Sequence, residues 1–291
     1  MTPARSARSP WALLLVALAA GCPAGPPAGP PPPASALAAV QARGKLVIAM
    51  DVGYDPFEVT RPDGSIVGYD VDLAREVAKD LGVEVELKHV DWDGIIGELR
   101  TGKVDAIFSG MSITEERRKA VAFSRPYYRV GQVVVKRKGD ARIRGYRDLD
   151  DPAMKVATQF GTTGEQAIRR MMPKAEVLAL PKADEACLAL IQGKADAVVF
   201  DHPFLIKYVT EQTDRLEGLW EPFTEEEIAA ALRPESQDLL EAIDRTLQRL
   251  EASGELAALQ ARWFPPAPGR AGQAPAGDGA QPSAEPATPG R

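Results

Sequence analysis

One stretch of the chain occurs twice. Leu99-Arg-Thr-Gly102-Lys-Val-Asp105-Ala-Ile-Phe108 matches Leu190-Ile-Gln-Gly193-Lys-Ala-Asp196-Ala-Val-Val-Phe200. Each copy reads as a helix end, a glycine stop and a β-branched apolar run. Matched elements lie upstream. A strand over 45–50 ends at Asp51, and a strand over 155–158 ends near Gly161. A helix follows each, over 71–81 with apolar residues at 71, 74, 77, 78 and 81, and over 165–172. Both halves therefore read strand, helix, helix, strand. Such a repeat predicts an α/β fold of two lobes, with parallel or mixed sheets and right-handed crossovers.

The expected lobes are 41–130 and 131–225, with 226–264 returning to the first lobe. A hairpin over 57–60 and 66–68 turns at Arg61-Pro-Asp-Gly64. The linker between lobes is placed at 131–135, and helical patterns at 235–250 and 255–263 are expected to pack on the first lobe. Two chain crossings between lobes would make a hinge.

The ends read differently. Arg5 and Arg8 precede an apolar run at 11–20, too short for a spanning helix, and residues 1–21 read as a signal peptide. Leu18-Ala-Ala-Gly21 before Cys22 resembles the lipobox of bacterial lipoproteins, which implies a lipid on Cys22 as membrane anchor. A spacer over 22–40 follows; residues 23–33 hold seven prolines in eleven positions, an extended composition. Residues 265–291 are mostly Pro, Ala and Gly without aromatics and are expected to be disordered. Cys187 lies in an amphipathic helix pattern, which predicts a buried core thiol. The 35 Lys+Arg against 41 Asp+Glu, without a long basic run, argue against a nucleic-acid partner. Two His and two Cys leave little for a zinc site, and neither metal nor cofactor is implied.

Ligands of open parallel sheets bind beyond the carboxyl ends of the strands. Those ends carry Asp51 and Tyr54, residues 109–117, residues 161–163, and Asp201. A guanidinium from one lobe and a carboxylate from the other suit a zwitterion. Gly161-Thr-Thr-Gly164 opens a helix, so Gly161 and Thr163 could form an anion nest. Ser112-Ile-Thr-Glu115 has a capping-box pattern before Arg117. Tyr54 and Trp92 could cover an apolar portion of the ligand. Each residue also has a plainer reading. Arg117 suits a solvated helix face, Asp201 and Thr163 suit helix caps, and the aromatics suit a core.

Gly68-Tyr-Asp-Val-Asp-Leu-Ala74, Trp92-Asp-Gly-Ile-Ile96, Ser109-Gly-Met-Ser-Ile-Thr-Glu-Glu-Arg117 and Phe123-Ser-Arg-Pro-Tyr-Tyr128 resemble the family 3 extracellular solute-binding proteins. The resemblance spans about residues 44–264. It implies a type II periplasmic-binding-protein fold that closes by a hinge and delivers a polar amino acid to an ABC permease. By that resemblance Arg117, with Ser112 and Thr163, grips the α-carboxylate. Asp201, with Ser109, takes the α-ammonium. Tyr54 and Trp92 sandwich the side chain, Asp51 meets its polar end, and Gly110 and Phe160 hold positions that vary with specificity. Asp51 suits a basic or amide side chain. A monomer in the periplasm or at the cell surface, held by its lipid, is expected. Two alternatives use the same fold: a cyclohexadienyl or arogenate dehydratase with His202 as acid, and a free-standing amino-acid sensor.

Overall fold

The computed structural model describes residues 35–212 and 214–264. The expected signal peptide, Cys22, the proline run and the tail lie outside the described residues. The spacer was expected to reach residue 40. Instead Ser35 caps helix α1 (Ala36–Arg43), its hydroxyl accepting from the Ala38 N–H at 3.0 Å. Val40 is buried in the core, so α1 belongs to the packed fold rather than to a spacer.

The chain then runs through β1 (Lys45–Met50), the hairpin β2 (Val59–Thr60) and β3 (Ile66–Val67), α2 (Tyr69–Leu81) and β4 (Glu84–His89). It continues through α3 (Ile95–Arg100), β5 (Ala106–Ile107), α4 (Glu115–Arg118), β6 (Ala122–Phe123) and β7 (Tyr128–Val130). The second lobe holds β8 (Gln132–Arg137), β9 (Lys155–Gln159), α5 (Thr163–Met171), β10 (Glu176–Leu180), α6 (Ala183–Ile191), β11 (Ala197–Asp201), α7 (His202–Glu211) and β12 (Leu216–Leu219). The return comprises β13 (Glu226–Ile228), β14 (Ala231–Leu232), α8 (Gln237–Ser253) and α9 (Glu255–Trp263).

The sheets run β4-β1-β5-β14-β6 and β10-β9-β11-β8-β12. Within them β4-β1-β5 and β10-β9-β11 are parallel and equivalent, which is the sequence repeat in three dimensions. The repeat is strand, helix, strand, helix, strand; the sequence reading lacked β4 and β10, which lie at sheet edges. β14 and β8 run antiparallel to β5 and β11, so both sheets are mixed.

Apolar faces follow the strand and helix periods. Leu46 and Ile48 of β1 pack with Val71, Ala74 and Val77 of α2 and with Ile243, Leu247 and Leu250 of α8. Val133, Val135 and Val198 pack with Ala186, Cys187 and Leu190 of α6. Each full burial of a Val, Leu or Ile side chain contributes about 1.5–3 kcal/mol. Gly68 stands before α2 at φ 150, and a Cβ there would lie 1.9 Å from the Phe57 carbonyl oxygen. Only glycine permits that approach of the hairpin to the helix.

The lobes join through two crossings. The expected linker over 131–135 shrinks to Gly131, because β8 is an internal strand of the second sheet. The other crossing leads from β12 to β13, which pairs antiparallel with β7. A Cβ on Gly131 would lie 2.2 Å from the Thr224 carbonyl oxygen, so the two crossings touch.

Candidate functional site

Residues at and beyond the strand ends of both lobes line one shared cavity. Asp51, Tyr54, Trp92, Ser109, Gly110, Ser112 and Arg117 line it from the first lobe. Gln159, Thr162, Thr163, Phe200 and Asp201 line it from the second. Of the residues expected from sequence, Gly161 stands just outside this lining, and Phe160 is 55% exposed and also absent from it.

Arg117 is 7% exposed, which removes its reading as a solvated helix face. The cap that orients α4 is Thr114, not Ser112: the Thr114 hydroxyl accepts from the Arg117 N–H at 3.1 Å. Ser112 instead contributes its carbonyl, which accepts from Arg117 Nη1 at 2.8 Å. The guanidinium lies 5.0 Å from the Trp92 ring centroid, so Trp92 acts first as a platform for Arg117. Burial pushes the Arg117 pKa down, and the nearby Glu226 and Asp201 carboxylates oppose that.

Gly161 differs from the expected nest. Its N–H donates to Glu165 Oε2 at 2.7 Å, within its own lobe. Its carbonyl faces the cleft and accepts from Trp92 Nε1 at 3.1 Å and from Arg117 Nη2 at 3.4 Å. Thr162 is the cap of α5, while Thr163 lines the cavity at the helix start.

Asp201 is 5% exposed. It precedes α7 but makes no side-chain cap bond. Its Oδ1 accepts from Gln132 Nε2 at 2.6 Å, and its Oδ2 accepts from the Tyr54 hydroxyl. Burial, with help from Glu226, pushes the Asp201 carboxyl up to about 7. Glu226 of β13 was not foreseen. It accepts from Ser112 Oγ at 2.7 Å and from Gln132 Nε2 at 3.0 Å. Behind the first lobe's wall, Ser109 Oγ donates to Glu58 at 2.5 Å and the Gly110 N–H donates to Asp70 at 2.7 Å. Burial raises both of these carboxyls, Glu58 well above its ordinary value and Asp70 to about 7. Gly110 has φ +51, and a Cβ there would lie 2.2 Å from the Tyr54 ring, so glycine at 110 makes room for that ring.

At the far end, Asp51 meets Gln159 Nε2 at 2.9 Å and Lys182 Nζ at 2.5 Å, both from the second lobe. His202 does not line the cavity; its Nδ1 accepts from the Gly131 N–H at 3.3 Å, beside the crossing.

The geometry defines a two-lobed binding protein of the type II periplasmic class, with a cleft bearing fixed groups of opposite charge from opposite lobes. The sequence profile of the bacterial extracellular solute-binding proteins, family 3, matches residues 46–266, and the chain belongs to that family. It is 31% identical over 226 residues to the L-cystine-binding protein TcyJ of Escherichia coli (strain K12), covering 77% of this chain and 84% of that one. It is 33% identical over 233 residues to the ABC transporter glutamine-binding protein GlnH of Bacillus subtilis (strain 168), covering 78% and 84%. Among solved structures, the ancestral amino acid-binding protein AncCDT-1, a precursor of cyclohexadienyl dehydratase, matches with TM-score 0.75 and 38% identity over 79% of this chain and 100% of that one. An ancestral arginine-binding protein bound to arginine matches with TM-score 0.73 and 36% identity over 76% and 99%.

Proposed function

We propose that this chain is an extracytoplasmic substrate-binding protein that delivers a polar amino acid, with a basic or amide side chain, to an ABC importer. The observation that carries this reading is the placement of Arg117 and Asp201 on one cavity from opposite lobes. Arg117, with Ser112 and Thr163, takes the α-carboxylate. Asp201, with Ser109, takes the α-ammonium, and Tyr54, Trp92 and Gly110 shape the space between. A zwitterion bridging both groups favours the closed arrangement by its differential affinity for it. Closure excludes water and strengthens both charge-assisted contacts. The chain works as a monomer held at the membrane by lipid on Cys22, and a permease reads the closed form.

The test is calorimetric titration of the purified chain with the common L-amino acids, with prephenate and arogenate assayed for turnover alongside. Micromolar binding of a polar amino acid without turnover supports the reading. Failure to bind any amino acid, or dehydration of prephenate or arogenate, overturns it.

A further inference from the structure

Lys182 follows β10 and sits just before α6, outside every motif that marked the site. Its ammonium crosses the cleft to two carboxylates of the first lobe, Asp51 at 2.5 Å and Asp91 at 2.8 Å. Its side chain is 29% exposed, whereas that of Asp51 is 9% exposed. The other Asp51 oxygen accepts from Gln159 Nε2, and that amide also donates to the Pro181 carbonyl at 3.0 Å. Both oxygens of Asp51 are therefore engaged by the second lobe when the lobes meet.

We propose that Lys182 is a specificity-determining residue, which occupies Asp51 in an inter-lobe ion pair and so selects a ligand with a neutral amide side chain over a cationic one. This rests on the amino-acid-binding reading above and narrows its ligand class. The physical reason is local charge. A cationic side chain reaching Asp51 has to displace Lys182 or sit beside a second ammonium on the same oxygen, a like-charge juxtaposition in a partly dry site. A primary amide brings no net charge. It can donate to a remaining lone pair of Asp51, leaving the ion pair intact. A carboxylate side chain would meet Asp51 and Asp91 on either side of Lys182, so acidic ligands are also disfavoured.

Asp51, His89 and Asp91 cluster closely enough to suggest a cation site, with ligand atoms within 4.8 Å of one another. The Lys182 ammonium already lies on both carboxylates and is the cation that the cluster holds.

The test is calorimetry of the full chain with L-glutamine and L-arginine, in wild type, Lys182→Met and Lys182→Arg. Wild type is expected to bind glutamine at least about tenfold more tightly than arginine, and Lys182→Met to move that ratio toward arginine by about tenfold or more. Lys182→Arg retains the charge and is expected to retain the preference. A wild-type preference for arginine, measurable without any variant, overturns the inference. So does a ratio that moves less than about threefold in Lys182→Met. Binding of other L-amino acids but of neither probe overturns the inference and leaves the amino-acid reading standing. Failure to bind any L-amino acid removes both.

Discussion

The Tyr54 hydroxyl of the first lobe donates to the Asp201 carboxylate of the second. Together with Gln132 on the other oxygen, it fixes the acid that is proposed to receive the ligand's ammonium. Tyr54→Phe removes one hydrogen bond to a charged group and keeps the ring. A loss of about tenfold or more in amino-acid affinity is expected. Calorimetry on a folded variant with unaltered affinity would show that Tyr54 plays no part in positioning Asp201.

Arg117→Ala and Asp201→Asn each leave one pole of a bound zwitterion without its partner inside a closed cleft. The expected cost is roughly 2–5 kcal/mol, or about 30- to several-thousand-fold in affinity. The comparison needs circular dichroism to confirm folding. Near-normal binding by either variant sinks the assignment of the site.

Two pH slopes of opposite sign are expected. Asp201 and Asp70 have carboxyls raised by burial to about 7, and Glu58 is raised well above its ordinary value. A raised carboxyl stabilises the fold fully below its unfolded pKa, and that contribution is lost as pH rises through the folded value. Without amino acid, the chain is therefore expected to melt higher near about pH 5 than near about pH 8. Ammonium binding needs Asp201 ionised, so affinity should fall by up to about tenfold per pH unit on acidification below about 7. Melting curves and titrations across that range would show the two trends; slopes of the same sign would contradict the Asp201 assignment.

Gly68→Ala forces a methyl group against the Phe57 carbonyl at a backbone angle that L-residues rarely adopt. Its expected cost is roughly 3 kcal/mol or more. Gly97→Ala lies within helix α3 with open space around its added Cβ. It is expected to stabilise by about 0.4–1 kcal/mol. Urea midpoints for the pair check both signs at once.

The repeat, the return of the last helices and the opposed charges were legible in sequence because each has a spacing or a chemical partner. Asp201 ends β11 and Arg117 lies on α4 in the segment that follows β5, beyond the strand ends where residue type carries meaning. β4 alternates, with Val85 and Leu87 between charged residues, but it is a sheet-edge strand with no fully buried residue, so its apolar signal is weak. Gln132, Gln159 and Glu226 are different. They sit at the ends of β8 and β9 and in β13, and a lone amide or acid within a strand has no period that marks it as facing a ligand. Lys182 reads as a solvated turn residue, and only the meeting of two lobes shows its partners. The linker was misplaced because Gly131-Gln-Val-Val-Val135 is extended whether it crosses between lobes or runs inside a sheet.

β14 lies between β5 and β6 and pairs with both, yet the whole second lobe is encoded before it. As the polypeptide emerges from amino to carboxyl end, the first sheet has a vacant lane until Ala231 and Leu232 arrive. The second sheet is one uninterrupted run of sequence and needs no such wait. The half that starts first thus finishes last, and a nascent or truncated product ending before residue 231 would carry an unsealed strand edge open to wrong partners.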